Sequence, residues 1–159
     1  MHTNSMLLMR DFRDRYLGDL NGCTILDVGS RRVRGQADSY RDLFYEYQYT
    51  GMDIVPGRNV DIVGYENLAE VYDVVISGQV MEHVERPWEW MCTLATLFRW
   101  YICIIAPSRS KEHRYPIDCY RYLPDGMRAL FEYAGITTLE ARLDRTDCIG
   151  IGTKKGEQT

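Results

Sequence analysis

The sequence predicts an α/β domain: a doubly wound, mostly parallel sheet with helices on both faces and an antiparallel strand near the C-terminal end. Three observations carry this. Short apolar runs rich in valine and isoleucine alternate with segments whose apolar residues recur three or four apart. Several of the runs are apolar throughout, as strands covered on both faces must be. A chain of 159 residues, 45% hydrophobic and 26% charged, suits one compact domain with a core and is short for two.

The elements follow in order. Residues 5–17 space Leu8, Phe12 and Tyr16 four apart, which predicts an amphipathic helix. Residues 24–28 form a buried strand that ends in a sharp turn at Gly29. Residues 37–46 read as helical, and residues 47–52 as a second strand ending at Asp53. Residues 61–63 make a very short third strand and residues 72–77 a clear fourth. Pro87 opens a helix with Trp88, Met91, Leu94, Ala95 and Phe98 at helical spacing. Residues 100–106 form a fifth strand, stopped by Pro107. A helix near Pro124 carries Met127, Leu130, Phe131 and Ala134 on one face and stops at Gly135. Residues 137–143 and 147–152 close the sheet as an antiparallel pair, and residues 153–159 read as a loose tail to the single 1–159 domain.

The formal net charge of −4 argues against a dedicated nucleic-acid surface. No apolar run reaches the roughly 20 residues that span a bilayer, and the first ten residues are too short and polar for a secretory signal. Five scattered cysteines without a C-x-x-C pair point to reduced thiols in the cytoplasm, not to a zinc site or a disulfide framework.

In such sheets, ligands bind outside the carboxyl ends of the strands, near the switch in strand order. That directs attention to residues 29–35, Asp53, 77–83 and 106–122. A glycine after a buried strand lets the backbone turn and lets a ligand approach the main chain. Asp53 lies 24 residues after Gly29, near the spacing of an acid that accepts from both hydroxyls of a ribose. Each alone also reads as an ordinary turn glycine or helix cap. Together they point to a nucleoside. Gly29 is followed by Ser30-Arg31-Arg32-Val33-Arg34-Gly35, without the further glycines of G-x-G-x-x-G, which opposes a pyrophosphate and hence a nicotinamide-dependent oxidoreductase.

Two further clusters stand out. Residues 108–122 gather His113, Arg114, Tyr115, Asp118, Tyr120, Arg121 and Tyr122 just after the fifth strand. His113 has the pKa range of a general base and Asp118 lies five residues on, a candidate catalytic pair. The alternative is that Asp118 and the arginines tie the loop down. Arg31, Arg32 and Arg34 could recruit an anionic substrate or the cofactor carboxylate, or simply form a solvated loop. Glu82 and His83 are adjacent, and neighbouring helix residues point about 100° apart, so the expectation is a metal-free site.

Leu26-Asp27-Val28-Gly29-Ser30, Tyr49-Thr50-Gly51-Met52-Asp53 and the stretch from Tyr72 through Ser77-Gly78-Gln79-Val80-Met81-Glu82-His83-Val84 resemble the ordered motifs of class I S-adenosylmethionine-dependent methyltransferases, in particular the type 11 group. The resemblance continues through Ile105-Ala106-Pro107-Ser108 and the run from His113 to Tyr122, and spans Thr24 to about Gly150. It implies a Rossmann-like fold. It also implies that Asp27, Gly29 and Ser30 line the methionine end of the cofactor, Asp53 binds the ribose, and Met52 and Ile54 flank the adenine. Ser77, Gly78 and Gln79 would then form the floor under the sulfonium, with Glu82 and His83 beside it.

Three features depart from the family pattern. The glycine-rich loop is reduced to Gly29 and Gly35. The segment between Asp61 and Tyr72 lacks the usual acid beside an aromatic, leaving Tyr65, Glu66 and Asn67 as stand-ins. Leu97-Phe98-Arg99-Trp100 replaces the usual turn before strand five. The function expected is methyl transfer from S-adenosylmethionine, leaving S-adenosylhomocysteine, to an oxygen or nitrogen of a small-molecule or glycan-like acceptor. The alternative is a non-catalytic cofactor-binding or regulatory module. The acceptor would be held by the 31–35 loop, the 108–122 loop and the N-terminal helix, or by a second subunit in a homodimer.

Overall fold

The computed structural model describes residues 3–18, 20, 22–33, 38–68 and 70–156. Ile25 and Leu26 point to opposite faces of the first strand, β1 (Thr24–Val28), and both are fully buried. A strand apolar on both sides belongs inside a sheet covered on both faces. β1 pairs in parallel with β2 (Gln48–Asp53) on one side and with β4 (Tyr72–Gly78) on the other. β3 (Ile62–Val63) extends the sheet past β2, and β5 (Phe98–Pro107) extends it past β4, both in parallel. β7 (Asp147–Lys154) runs antiparallel beside β5, and β6 (Ile136–Asp144) pairs antiparallel with β7 at the edge. The order is therefore β3-β2-β1-β4-β5-β7-β6, with the switch in strand order between β1 and β4.

Each face has its own core. On one, α1 (Thr3–Tyr16) and the short α2 (Tyr40–Leu43) bury Leu8, Met9, Phe12, Tyr40 and Leu43 against Ile25, Val74, Ile76, Cys103 and Ile149. On the other, α3 (Pro87–Thr96) and α4 (Pro124–Tyr133) bury Trp90, Met91, Leu94, Met127 and Phe131 against Leu26, Val75, Ile102 and Ile104. Pro87 and Pro124 each sit in the first turn of their helix, where a missing N–H costs nothing. Burying a side chain such as Phe12 contributes about 1.5–3 kcal/mol.

Three expectations need correction. Phe98, expected on the helix opened by Pro87, lies beyond its end and begins β5. The helix expected over 37–46 is only four residues long. Asp42 takes the amide and hydroxyl hydrogens of Ser39, and buried Phe44 packs edge-on against Tyr47, so the chain turns at once into β2; residue 37 lies outside the described residues. The loose tail expected over 153–159 is strand at its start, and residues 157–159 lie outside the described residues. Thr153 pairs with both Tyr101 and Thr137, and the Lys154 ammonium sits 4.6 Å over the Phe98 ring and donates to the Ala95 carbonyl.

Candidate active site

The carboxyl ends of β1, β2, β4 and β5 gather Gly29, Asp53, Gly78 and Pro107 along one edge. Gly29 turns the chain there with φ +83°, a conformation that disfavours any side chain. Its amide and that of Ser30 both donate to the Met52 carbonyl, at 2.8 and 3.0 Å. The Ser30 hydroxyl is taken by the Asn59 carbonyl. Met52 itself is fully buried among core residues.

Asp27 is buried at the end of β1 and accepts a short hydrogen bond from the Tyr49 hydroxyl. Burial pushes its pKa up to about 7, against the opposing hydrogen bond from Tyr49. Asp53 lies one strand over. Its two oxygens accept from the amides of Arg31 at 3.3 Å and Val55 at 3.0 Å, and the Arg31 guanidinium stands 3.9 Å away. Arg31 thus faces a protein carboxylate, while Arg34 and Gly35 lie outside the described residues. Ile54, next to Asp53, is 72% exposed and Val55 is also exposed, an apolar step beside a carboxylate. Tyr65, a stand-in on the adenine side, is committed elsewhere: its hydroxyl accepts from the Trp90 indole at 2.6 Å.

At the end of β4 the Ser77 hydroxyl donates to the Val28 carbonyl at 2.7 Å, tying the two central strands together. Gly78 leaves room for the Tyr40 hydroxyl, which a β-carbon would meet at 1.9 Å. Gln79 then adopts φ +61°, a strained value of the kind that clusters at functional sites. Its amide nitrogen donates to Asp147, while its carbonyl oxygen is buried and accepts no hydrogen bond.

The 3-10 turn Met81–His83 follows, and here the structure corrects the sequence reading. The tips of Glu82 and His83 do converge: Nε2 of His83 is 3.6 Å from Oε1 of Glu82. The 100° argument concerns how side chains leave the backbone and says little about where long ones end. His83 also meets the 108–122 loop, with its Nδ1 2.5 Å from the Ile117 carbonyl and its ring 5.0 Å from that of His113, edge to face. His113 turns Nε2 to 3.8 Å from Glu82 Oε1. Burial raises the Glu82 pKa to about 7 and lowers that of His83. Among the sequence-predicted site residues, His83 therefore joins His113 and Asp118 instead of the group around Asp27 and Asp53.

Asp118 serves the loop. Its side chain is almost fully covered, pairs with both terminal nitrogens of Arg121 at 2.5 and 2.7 Å, and accepts from the His113 amide at 2.6 Å. The Arg121 guanidinium holds its carboxyl well below the usual carboxylate range. The His113 ring nitrogen is 3.7 Å from Asp118, too far for a hydrogen bond. Asp118 is thus bonded within its own loop, to Arg121 and to the His113 backbone. Sequence reasoning missed the convergence of Glu82 with His113, because 31 positions separate them and no spacing rule links them.

No protein-family profile matches the chain, and no curated protein sequence does. Solved structures do match. Magnesium protoporphyrin IX methyltransferase from Synechocystis, with S-adenosylhomocysteine bound, superposes with a TM-score of 0.68 at 14% identity over 96% of this chain and 82% of that one. An S-adenosylmethionine-dependent methyltransferase from Clostridium acetobutylicum gives 0.68 at 6% identity, over 93% and 91%. The [4+2]-cyclase SpnF gives 0.67 at 13% identity, over 93% and 80%. The seven-stranded order with its antiparallel β7, shared along nearly the whole chain, gives this protein the fold of the class I S-adenosylmethionine-dependent methyltransferases.

Proposed function

We propose that the protein binds S-adenosylmethionine at the carboxyl edge of β1, β2 and β4 and transfers its methyl group to an oxygen or nitrogen of a small, polar acceptor. The observation that carries this is the buried Asp27 carboxylate, with the unpartnered Gln79 oxygen at the end of the next strand. A buried acid without a cation beside it is costly, and a cationic ligand relieves that cost. A dinucleotide would bring a pyrophosphate to the same edge and make it worse. When bound, the cofactor supplies an electrophilic methyl group on a sulfonium.

The chain's own residues do the holding. Asp27, with Gly29 and Ser30 beside it, and Gln79, with Ser77 and Gly78 as floor, face the cationic end. Asp53 accepts from the ribose hydroxyls, and the exposed Ile54 offers an apolar surface to the base. Met52 contributes through its carbonyl, which fixes the Gly29 turn. Glu82, His83 and His113 form the acceptor end, held in place by Asp118 and Arg121. The gain expected from such positioning is large, since orienting two reactants removes roughly 7–11 kcal/mol of a barrier.

The test is calorimetric titration of the protein with S-adenosylhomocysteine and, separately, with NAD. Binding of the first alone supports the reading; binding of NAD alone overturns it. A second reading, binding without turnover, is favoured by one observation: Asp118, half of the catalytic pair expected from the sequence, is bound to Arg121 and to the His113 amide and not to the His113 ring. Formation of S-adenosylhomocysteine from S-adenosylmethionine in an acceptor screen excludes it.

A further inference from the structure

We propose that Glu82, His83 and His113 bind a divalent transition-metal ion of the zinc class, with a fourth position open to water or to an oxygen of the acceptor. The ion site stands on its own geometry; only the acceptor as fourth ligand rests on the methyl-transfer reading.

The donor atoms of these three residues all lie within 4.8 Å of one another. Ligands about 2.0–2.1 Å from a tetrahedral zinc stand roughly 3.3–3.4 Å apart. The two Glu82–histidine separations, 3.6 and 3.8 Å, are a few tenths of an ångström longer than that. They are too long for hydrogen bonds, so proton sharing does not account for the convergence. Two imidazoles and one carboxylate form the donor set of open, three-ligand zinc and iron sites.

Three further features suit an ion. Neither Glu82 oxygen has a hydrogen-bond partner although the side chain is fully buried, and the ring nitrogens of His83 and His113 stand just beyond hydrogen-bond reach of it. The Ile117 carbonyl lies 2.5 Å from His83 Nδ1, and a proton held there leaves the Nε2 lone pair facing Glu82. That is how proteins fix a ligating histidine's tautomer. Asp118 takes the backbone amide of His113 and is itself clamped by Arg121, which fixes the loop that presents the third ligand. The His113 side chain is 31% exposed and Tyr115 beyond it is open, so the fourth position faces solvent, where an acceptor arrives. A zinc-class ion lowers the pKa of a bound hydroxyl or water and so favours the nucleophilic form.

The experiment titrates the chelator-treated 159-residue chain with zinc by calorimetry and with cobalt by visible absorption, while S-adenosylhomocysteine affinity is measured in parallel. The expected result is one ion per chain with a dissociation constant in the micromolar range or tighter and cobalt ligand-field bands. Affinity should fall by at least about 10–100-fold in Glu82→Gln, His83→Ala and His113→Ala, the range produced by disturbing even the supporting partners of a metal ligand. Cys119→Ser, which removes the exposed thiol nearby, should leave binding unchanged. Absence of stoichiometric binding overturns the proposal. Binding that survives the three substitutions, or that disappears with Cys119, overturns it equally. A protein that binds S-adenosylhomocysteine and no zinc loses only this inference; one that binds zinc and no S-adenosylhomocysteine loses the methyl-transfer reading instead.

Discussion

The Val80 side chain occupies the space in front of Gly29: a β-carbon on Gly29 would stand 2.2 Å from Val80 Cγ2. The glycine is thus required first by its own turn and by a neighbour in the fold, before any ligand arrives. Gly29→Ala should lower the melting temperature of the ligand-free protein by several degrees, from the positive φ and the clash combined. Val80→Ala in the same chain should recover part of that loss. Thermal denaturation of the two variants checks it; an unchanged melting temperature for Gly29→Ala would leave the glycine to the ligand alone.

Asp27 gives a pH dependence of definite sign. Its folded pKa of about 7 lies above the roughly 3.9 of an unfolded aspartate. The folded state therefore holds the proton more tightly. Its contribution is full below pH 4 and is lost as pH rises to about 7, at up to about 1.4 kcal/mol per pH unit. Asp27→Asn should match wild type near pH 4 and be the more stable ligand-free protein at pH 8. Urea denaturation at the two pH values measures the crossing.

Asp53→Ala should weaken S-adenosylhomocysteine binding at least tenfold. Each hydrogen bond from a ribose hydroxyl to a carboxylate is worth about 1.5–3 kcal/mol. The fold should survive, because the bonds lost to the Arg31 and Val55 amides lie in a loop at the sheet's edge. Calorimetric affinity together with the melting temperature separates the two effects; unchanged affinity refutes the placement.

Asp118→Asn breaks the paired contact with Arg121. Amide exchange across residues 110–117 should quicken, and turnover should fall while S-adenosylhomocysteine affinity holds. The stability difference from wild type should be full above pH 5. It should close as pH falls below the usual carboxylate range, because the folded carboxyl titrates lower than the unfolded one. Hydrogen exchange and acid denaturation of the two proteins test this.

The central strands were legible because burial on both faces leaves an unbroken apolar run. The stretch 24–28 coincides with β1, and the stretches around 72–77 and 100–106 fall within β4 and β5. Gly135, with φ +72°, stops the last helix where the sequence predicted. α2 was not legible in its length, because the capping of Ser39 by Asp42 and the burial of Phe44 decide it and neither has a periodic signature. At the carboxyl edge of the sheet, the strand ends directed attention to Asp53 and Gln79, while Asp27, inside β1, came only from the family resemblance. The meeting of Glu82 with His113 depends on how the 108–122 loop folds back over the turn after β4, and only coordinates show that.

β7 is made after β6 yet lies between β6 and β5. β6 therefore has no seat in the sheet until β7 is in place. Until residues 147–154 emerge, the edge of β5 is an open ladder carrying Ile102, Ile104 and their unpaired main-chain groups. An open apolar edge is a template for pairing with another nascent chain. The hazard in production is thus a chain cut short: a truncation before residue 147 should leave the β5 edge open and raise the aggregated fraction, while one after residue 154 should not.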